Sequence, residues 1–324
     1  MPPSIAVDPA PPVAAPRLDH VAAVRLIGNT PLVPLRRTAE VLGLPASVEL
    51  WLKAEWANPG GSVKDRTALA IIRDGLNRGE LSDRRGLLDA TSGNTGIAYA
   101  MLGAALRLPI HLVVPGSASE ERKRLLTAYG AEVTYSDPYD GSDGAIRLAR
   151  HRQDEHPDRY WYADQYNNPA NPWIHRTTTG PEIWHQTAGQ VTHLVAGLGT
   201  SGTLMGAGAA LKARNPAITL VAVEPADAFH GIEGLKHMAS AIVPGIYDPT
   251  RPDVHEAIET SAAYEYAQRL ARTEGLLVGI STGAAVAAAV RLGGRLAERG
   301  EVAKMVIVAP DGGDRYLSTA LWDG

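Results

Sequence analysis

The stretch "HLVAGLGTSGTLMG", His193 to Gly206, is a short strand-like run, then a turn built from glycine and hydroxyl side chains, then the start of a helix-like run. The same layout recurs in "NPGGSVKDR" (58 to 66), "ATSGNTG" (90 to 96) and "GISTGAA" (279 to 285). A strand that hands over to a helix through such a turn is the unit of an α/β fold. The turn leaves backbone N–H groups and the positive end of a helix dipole open, which suits phosphate or carboxylate. Any doubly wound sheet needs tight turns, so one of them decides little. Four of them point to a ligand with several anionic groups at the carboxyl ends of the strands.

Working outward, β-branched runs alternate with alanine-rich runs at helical spacing. "VELWLKAE" (48 to 55), "IHLVVP" (110 to 115), "AEVTYS" (131 to 136), "ITLVAVEP" (218 to 225) and "KMVIVAP" (304 to 310) read as strands of parallel sheets covered on both faces. Ala68, Ile71, Ile72 and Leu76 share one helical face, and "IAYAMLGAAL" (97 to 106) is small and apolar all round, as a helix between layers would be. The polar stretch "DQYNNPANPW" (164 to 173) reads as a crossing between two α/β halves.

Length and composition exclude several classes. With 324 residues the chain can bury a large core in one or two domains. The net charge of -4 is spread out, so neither nucleic acid nor an anionic membrane is an indicated partner. There is no cysteine, which rules out disulfides, thiolate zinc sites and a cysteine nucleophile. His175, His185 and His193 lack ligand spacing, so no metal is expected. Six prolines in the first 16 positions, without a basic start or apolar core of signal-peptide length, give a disordered tail over residues 1 to 20. No run approaches the roughly 18 apolar residues of a membrane span, and a cytoplasmic location is the default.

Two readings of the turns compete. Gly197, Gly199 and Gly202 satisfy G-x-G-x-x-G with Glu224 ending the next strand, which on spacing is a dinucleotide fingerprint and an NAD-linked oxidoreductase. That reading leaves the other turns, and Lys64 behind Gly60 and Gly61, without a task. A Walker-type loop fails on spacing. An amine placed like Lys64 could grip phosphate, bond to a carbonyl cofactor, or solvate a loop.

Taken together the segments resemble the cysteine synthases (O-acetylserine or O-phosphoserine sulfhydrylases) of the fold-type-II pyridoxal-phosphate enzymes, whose fold is tryptophan synthase β-like. The match runs from about Leu26: "IGNTPLV" (27 to 33), "NPGGSVKDR", "TSGNTGIA" (91 to 98), "YNNPANP" (166 to 172), "TTGPEIW" (178 to 184), "GLGTSGTLMG" (197 to 206), "GISTGAA" and "DRYLST" (314 to 319). The resemblance implies two doubly wound α/β domains, a small mobile one at 57–170 and a large cofactor-binding one from 21–56 with 171–324. It implies pyridoxal 5'-phosphate as cofactor and Lys64 as Schiff-base lysine and base. Gly199, Thr200, Ser201, Gly202 and Thr203 match the phosphate cradle, Asn94 the residue at the ring hydroxyl, and Ser281 the serine facing the pyridine nitrogen. Thr91, Ser92, Thr95 and Gln165 match the residues that close on the substrate carboxylate. The implied reaction is β-replacement on O-acetyl- or O-phospho-L-serine by sulfide, thiosulfate or carrier-bound sulfur, through an α-aminoacrylate, giving L-cysteine. Another β-substituted alanine, or a cystathionine β-synthase-like reaction, is the alternative. Relatives are homodimers.

The segment "HGIEGLKHMASAIVPGIY" (230 to 247) looks more like the B-type branch, including mycobacterial enzymes that use O-phosphoserine, where an arginine matches Lys236. Lys236 is therefore expected either to contact an anionic leaving group or sulfur donor, or to be a solvated lysine on a mobile loop. Of the acidic pair Asp311 and Asp314, a plain turn role is the expectation.

Overall fold

The computed structural model describes residues 18–91 and 93–322. Ten strands occur among them: β1 (Leu32–Pro34), β2 (Val48–Ala54), β3 (Gly86–Ala90), β4 (Ile110–Pro115), β5 (Glu132–Ser136), β6 (Tyr160–Tyr162), β7 (His193–Gly197), β8 (Thr219–Pro225), β9 (Val254–Ile258) and β10 (Ala303–Ala309). They form two sheets, one ordered β1-β2-β10-β7-β8-β9 and one ordered β5-β4-β3-β6. Only the β1–β2 pair is antiparallel. The architecture is α/β, with helices covering the sheets as parallel pairing demands.

Six strands coincide with the runs expected from sequence. A seventh, β3, is the strand implied ahead of "ATSGNTG"; β1, β6 and β9 were not expected. "GLLDA" in β3 carries neither alternation nor a β-branched run, and its strand character comes from pairing, since β3 lies in the middle of its sheet with every residue buried.

The large sheet packs on the helices Thr260–Glu274 and Ile280–Glu298 in one alanine-rich core. Gly283 lets these two helices touch, because a Cβ there would strike the Ala263 carbonyl. The small sheet packs on Lys64–Asn77 and Asn94–Leu106. The latter is apolar on all sides, as expected, and it ends where Arg107 turns left-handed at φ 58°. Residues 163–169 link β6 to the helix Ala170–Ile174, which continues through a π-helical turn, His175–Thr179, into Gly180–Gln186. Such wide turns recur at functional sites.

The expected tail lies outside the described residues up to position 17; Leu18 is buried and packs in the core of the small-sheet half. One expectation needs correction. "GISTGAA" does not follow a strand: the chain leaves the helix Thr260–Glu274 at Gly275 and reaches the turn through coil, with a single bridge from Val278 to Gly312. Gly275 at φ 70° stops that helix, and the next begins too soon for a strand between them. No helix among the described residues is long and apolar enough to cross a membrane.

Candidate active site

Three turns that follow β2, β3 and β7, and the fourth at the start of Ile280–Glu298, meet around two joined cavities. One is lined by Lys64, Asn94, Gly199, Thr200, Ser201, Thr203 and Ser281. The other is lined by Lys64, Asn94, Thr91, Thr95, Gln165, Gly199, Thr200, Arg122 and Lys236. Gly202 lies beside the first, at the start of its helix, and Ser92 falls outside the described residues.

The turn carrying Lys64 is tied down at both ends. Val63 donates its N–H to the Pro310 carbonyl at 2.8 Å, Ser62 bridges Asp311, and Ser62 Oγ accepts the Lys64 N–H at 3.3 Å. Upstream, Asn58 Nδ2 donates to the Glu55 carbonyl and carboxylate at 2.8 and 2.9 Å. The Lys64 side chain is thus delivered from a fixed backbone. Burial pushes its amine below the ordinary lysine range, while the charges of Asp311 and Glu55 pull it back up.

The loop after β7 has the shape of an anion cradle. Ser201 is left-handed at φ 69°, and its buried Oγ has no hydrogen-bond partner among the described residues. It precedes the helix Gly202–Lys212. A Cβ at Gly199 would strike the Gly234 carbonyl, and one at Gly202 the Asn171 amide, so only glycine permits this close approach. Asn171 Nδ2 fixes Thr200 Oγ1 at 3.0 Å. Beneath the loop His175 contacts Thr203 Oγ1 and Thr67 Oγ1, both at 3.3 Å, and Thr179 Oγ1 at 2.9 Å. Burial, with Arg66 and Lys64 adding to it, keeps this ring well below ordinary histidine, hence neutral. Its position under the cradle escapes sequence reasoning, because histidine on a helix face is usually packing. An unpartnered buried hydroxyl, a helix N-terminus, two obligatory glycines, a buried amine and a serine across the cavity together fit a phosphorylated carbonyl cofactor.

In the second cavity Thr91 Oγ1 accepts the N–H groups of Gly93 and Gly96, both at 3.1 Å, leaving its proton to donate. Thr95 Oγ1 donates to Gln165 Oε1 at 2.7 Å, and Gln165 Nε2 donates to the Ala90 carbonyl at 2.6 Å, which locks that amide. Asp89, fully buried in β3, accepts the Gln165 N–H at 3.2 Å and the Tyr99 hydroxyl at 3.0 Å.

Asp311 is a correction to the plain-turn expectation. It is fully buried, and its Oδ2 accepts Asn94 Nδ2 and the Tyr316 hydroxyl, both at 2.6 Å. Arg315 Nη1 completes the hold on Asn94 at 2.6 Å. Asp314, by contrast, is exposed. Lys236 is likewise no solvated lysine: it is 6% exposed and pairs with Asp143 at 2.6 Å. Glu224, assigned to a ribose in the dinucleotide reading, accepts the Met238 N–H at 3.0 Å and lines neither cavity.

The buried acids set a pH window. Burial raises the Asp65 carboxyl from 3.8 to about 7 and, with Asp164 beside it, the Asp89 carboxyl from 3.8 to about 8. Their folded-state values exceed the unfolded ones, so the folded protein binds more protons in that range and gains stability as pH falls. Burial would also raise Glu182, but Arg66 and Lys53 bring it down to about 2, so its contribution is present above 4.5 and lost below. Neutral His175 opposes acidification below about 6.5. Lys53 and Lys64, whose amines burial lowers, act in the opposite direction. The share owed to Asp89 is read by comparison: in thermal scans Asp89→Asn should gain less melting temperature than wild type between pH 8.5 and pH 6.5, because it has no carboxyl to protonate.

The geometry has counterparts in known proteins. The family described as "Pyridoxal-phosphate dependent enzyme" matches residues 24–311. Over 299 residues the chain is 50% identical to a cysteine synthase of Aquifex aeolicus, covering 92% of this chain and 91% of that one. It is 42% identical over 297 residues to a cysteine synthase B of Pseudomonas aeruginosa, covering 92% and 96%. The solved O-acetyl serine sulfhydrylase isoform 3 of Entamoeba histolytica superposes with a TM-score of 0.86 at 34% identity, over 96% of this chain and 94% of that one.

Proposed function

Because the chain belongs to the pyridoxal-phosphate dependent enzyme family, with cysteine synthases among its relatives, we propose that its two joined cavities carry out β-replacement on an activated L-serine to form L-cysteine. The observation that carries the proposal is the convergence of Lys64, Asn94, Ser281 and the 199–203 loop on one cavity. A dinucleotide enzyme has no use for that arrangement.

When bound, pyridoxal phosphate supplies an electron sink that lowers the cost of removing the substrate's α-proton. Lys64 Nζ would hold it covalently. Once displaced, the same amine takes the α-proton, a task that burial aids by lowering its basicity and so leaving more of it unprotonated. Gly199 to Thr203 would hold the phosphate through backbone N–H groups, the Ser201 and Thr203 hydroxyls and the helix dipole. Ser281 would face the ring nitrogen; a hydroxyl does not keep that nitrogen protonated as a carboxylate would, and this favours β-elimination over transamination. Asn94, fixed by Asp311 and Arg315, would meet the ring hydroxyl. Thr91, Ser92, Thr95 and Gln165 would receive the substrate carboxylate, with the free proton of Thr91 and the N-terminus of Asn94–Leu106 as donors. Lys236 faces the same cavity, where the β-substituent would leave.

The half bearing the four-stranded sheet is proposed to close over the substrate and exclude water from the reacting carbons. Side-chain pairs already span the cleft: Arg122 with Glu233, and Asp143 with Lys236. A homodimer is part of the proposal and is checked by sedimentation. The test of function is direct. Purified protein loaded with pyridoxal phosphate should be coloured and, given O-acetylserine and sulfide, should release L-cysteine identified by mass. A coloured protein that forms no β-substituted alanine from any activated serine would sink the proposal.

A further inference from the structure

Three basic side chains line the substrate side of the cavity, Lys64, Arg122 and Lys236. The two beyond Lys64 each have a carboxylate of their own. Arg122 is paired with Glu233 and also donates to the Tyr316 hydroxyl at 2.7 Å. Lys236 is paired with Asp143, which lies far away in sequence in the helix Gly141–Glu155.

Two of the three protons of the Lys236 ammonium are committed. One points to Asp143 Oδ1 at 2.6 Å and one to the Ile242 carbonyl at 3.3 Å, while the ammonium sits 5.0 Å from the centre of the Tyr166 ring. The other oxygen of Asp143 accepts the Ile242 N–H at 2.8 Å. Asp143 therefore grips both the side chain at 236 and the backbone at 242, holding that loop against the small-sheet half; it lines the open groove beside the cavity, while its neighbour Ser142 lines the cavity itself. A phosphate arriving near Lys236 would meet an ammonium whose charge that carboxylate already balances. An uncharged ester would meet no such cost.

We propose that Asp143 is the residue that decides which leaving groups the site accepts: by masking Lys236 it admits uncharged esters and turns away phosphate. The inference rests on the β-replacement reading and deepens it. Asp143 touches Lys236 and Ile242, so it acts as a specificity residue through Lys236.

The test uses pyridoxal-phosphate-loaded enzyme in three forms: wild type, D143N and D143N/K236M. Asparagine keeps an oxygen for the Ile242 N–H, so the loop retains its anchor. Steady-state kcat/KM for O-acetylserine and O-phosphoserine is measured alongside the affinity for inorganic phosphate by calorimetry. Wild type should prefer O-acetylserine. D143N should raise the phosphoserine-to-acetylserine ratio and tighten phosphate binding, each by about tenfold or more, as one unmasked charge at contact distance warrants. D143N/K236M should return both to the wild-type level. An unchanged ratio and affinity in D143N, or a rise that survives loss of Lys236, would overturn the assignment. If wild type turns over neither ester, the β-replacement reading falls, and the phosphate titration by itself still decides the role of Asp143.

Discussion

Lys64→Ala is expected to lose cysteine formation by about 10³-fold or more, together with the visible absorbance of the purified protein. Alanine removes both the amine that would hold the cofactor and the base that would take the α-proton, so one substitution stops two steps. Lys64→Arg should be as inactive, because a guanidinium stays protonated and cannot bond to the aldehyde. Neither change should unfold the protein. Lys64 opens the helix Lys64–Asn77, where alanine is well tolerated, and the turn before it is fixed by backbone bonds from Val63 and by Asn58, which the variants keep. A small primary amine added to Lys64→Ala should restore part of the rate, since it can stand in for the base. Activity within tenfold of wild type, or unchanged colour, would take Lys64 out of the chemistry and with it the reading of the whole cavity.

The turns were legible in the sequence because glycine and hydroxyl residues must cluster where backbone approaches an anion, and that composition is visible without coordinates. Lys64, Asn94 and the 199–203 loop could be singled out for this reason. What holds them could not. Asn94 depends on Asp311, 217 residues away, Arg122 on Glu233, 111 away, and Lys236 on Asp143, 93 away. Each partner, viewed alone in the chain, is an ordinary charged residue, and only the fold reveals what it holds; of the three, Asp311 alone is fully buried. The fourth turn misled for a related reason. "GLLVG" has the apolar content of a strand, yet at Gly275 to Gly279 the chain is only crossing from one helix to the next.

The same distributed logic makes Glu55 the residue whose loss should cost the fold most. It is fully buried at the end of β2 and takes a two-point grip from Arg66, Nε to Oε2 at 2.8 Å and Nη2 to Oε1 at 2.9 Å. Arg66 in turn donates to Glu182 at 2.7 Å, which also receives buried Lys53 at 2.7 Å. Two cations and two anions thus balance just behind the Lys64 turn, with Arg66 and Glu182 at the wall of a separate cavity. Glu55→Ala leaves Arg66 and Lys53 sharing one carboxylate, strips the acceptor from the Thr30 hydroxyl at 2.6 Å, and removes one of the three side-chain bonds that hold Asn58. An uncompensated buried charge costs about 3–5 kcal/mol, so a fall in melting temperature of roughly 5–15 °C is expected. Glu55→Gln separates the two duties of the residue: it keeps hydrogen-bonding oxygen and nitrogen of the same shape but not the charge. If it is as damaging as alanine, charge balance dominates; if it is mild, the contacts to Thr30 and Asn58 do. Adding Arg66→Met to Glu55→Ala should recover stability over Glu55→Ala alone, because it removes the orphaned cation. A double variant no more stable than the single one would mean that Glu55 acts through packing, and that the Lys64 turn is held by its backbone bonds alone.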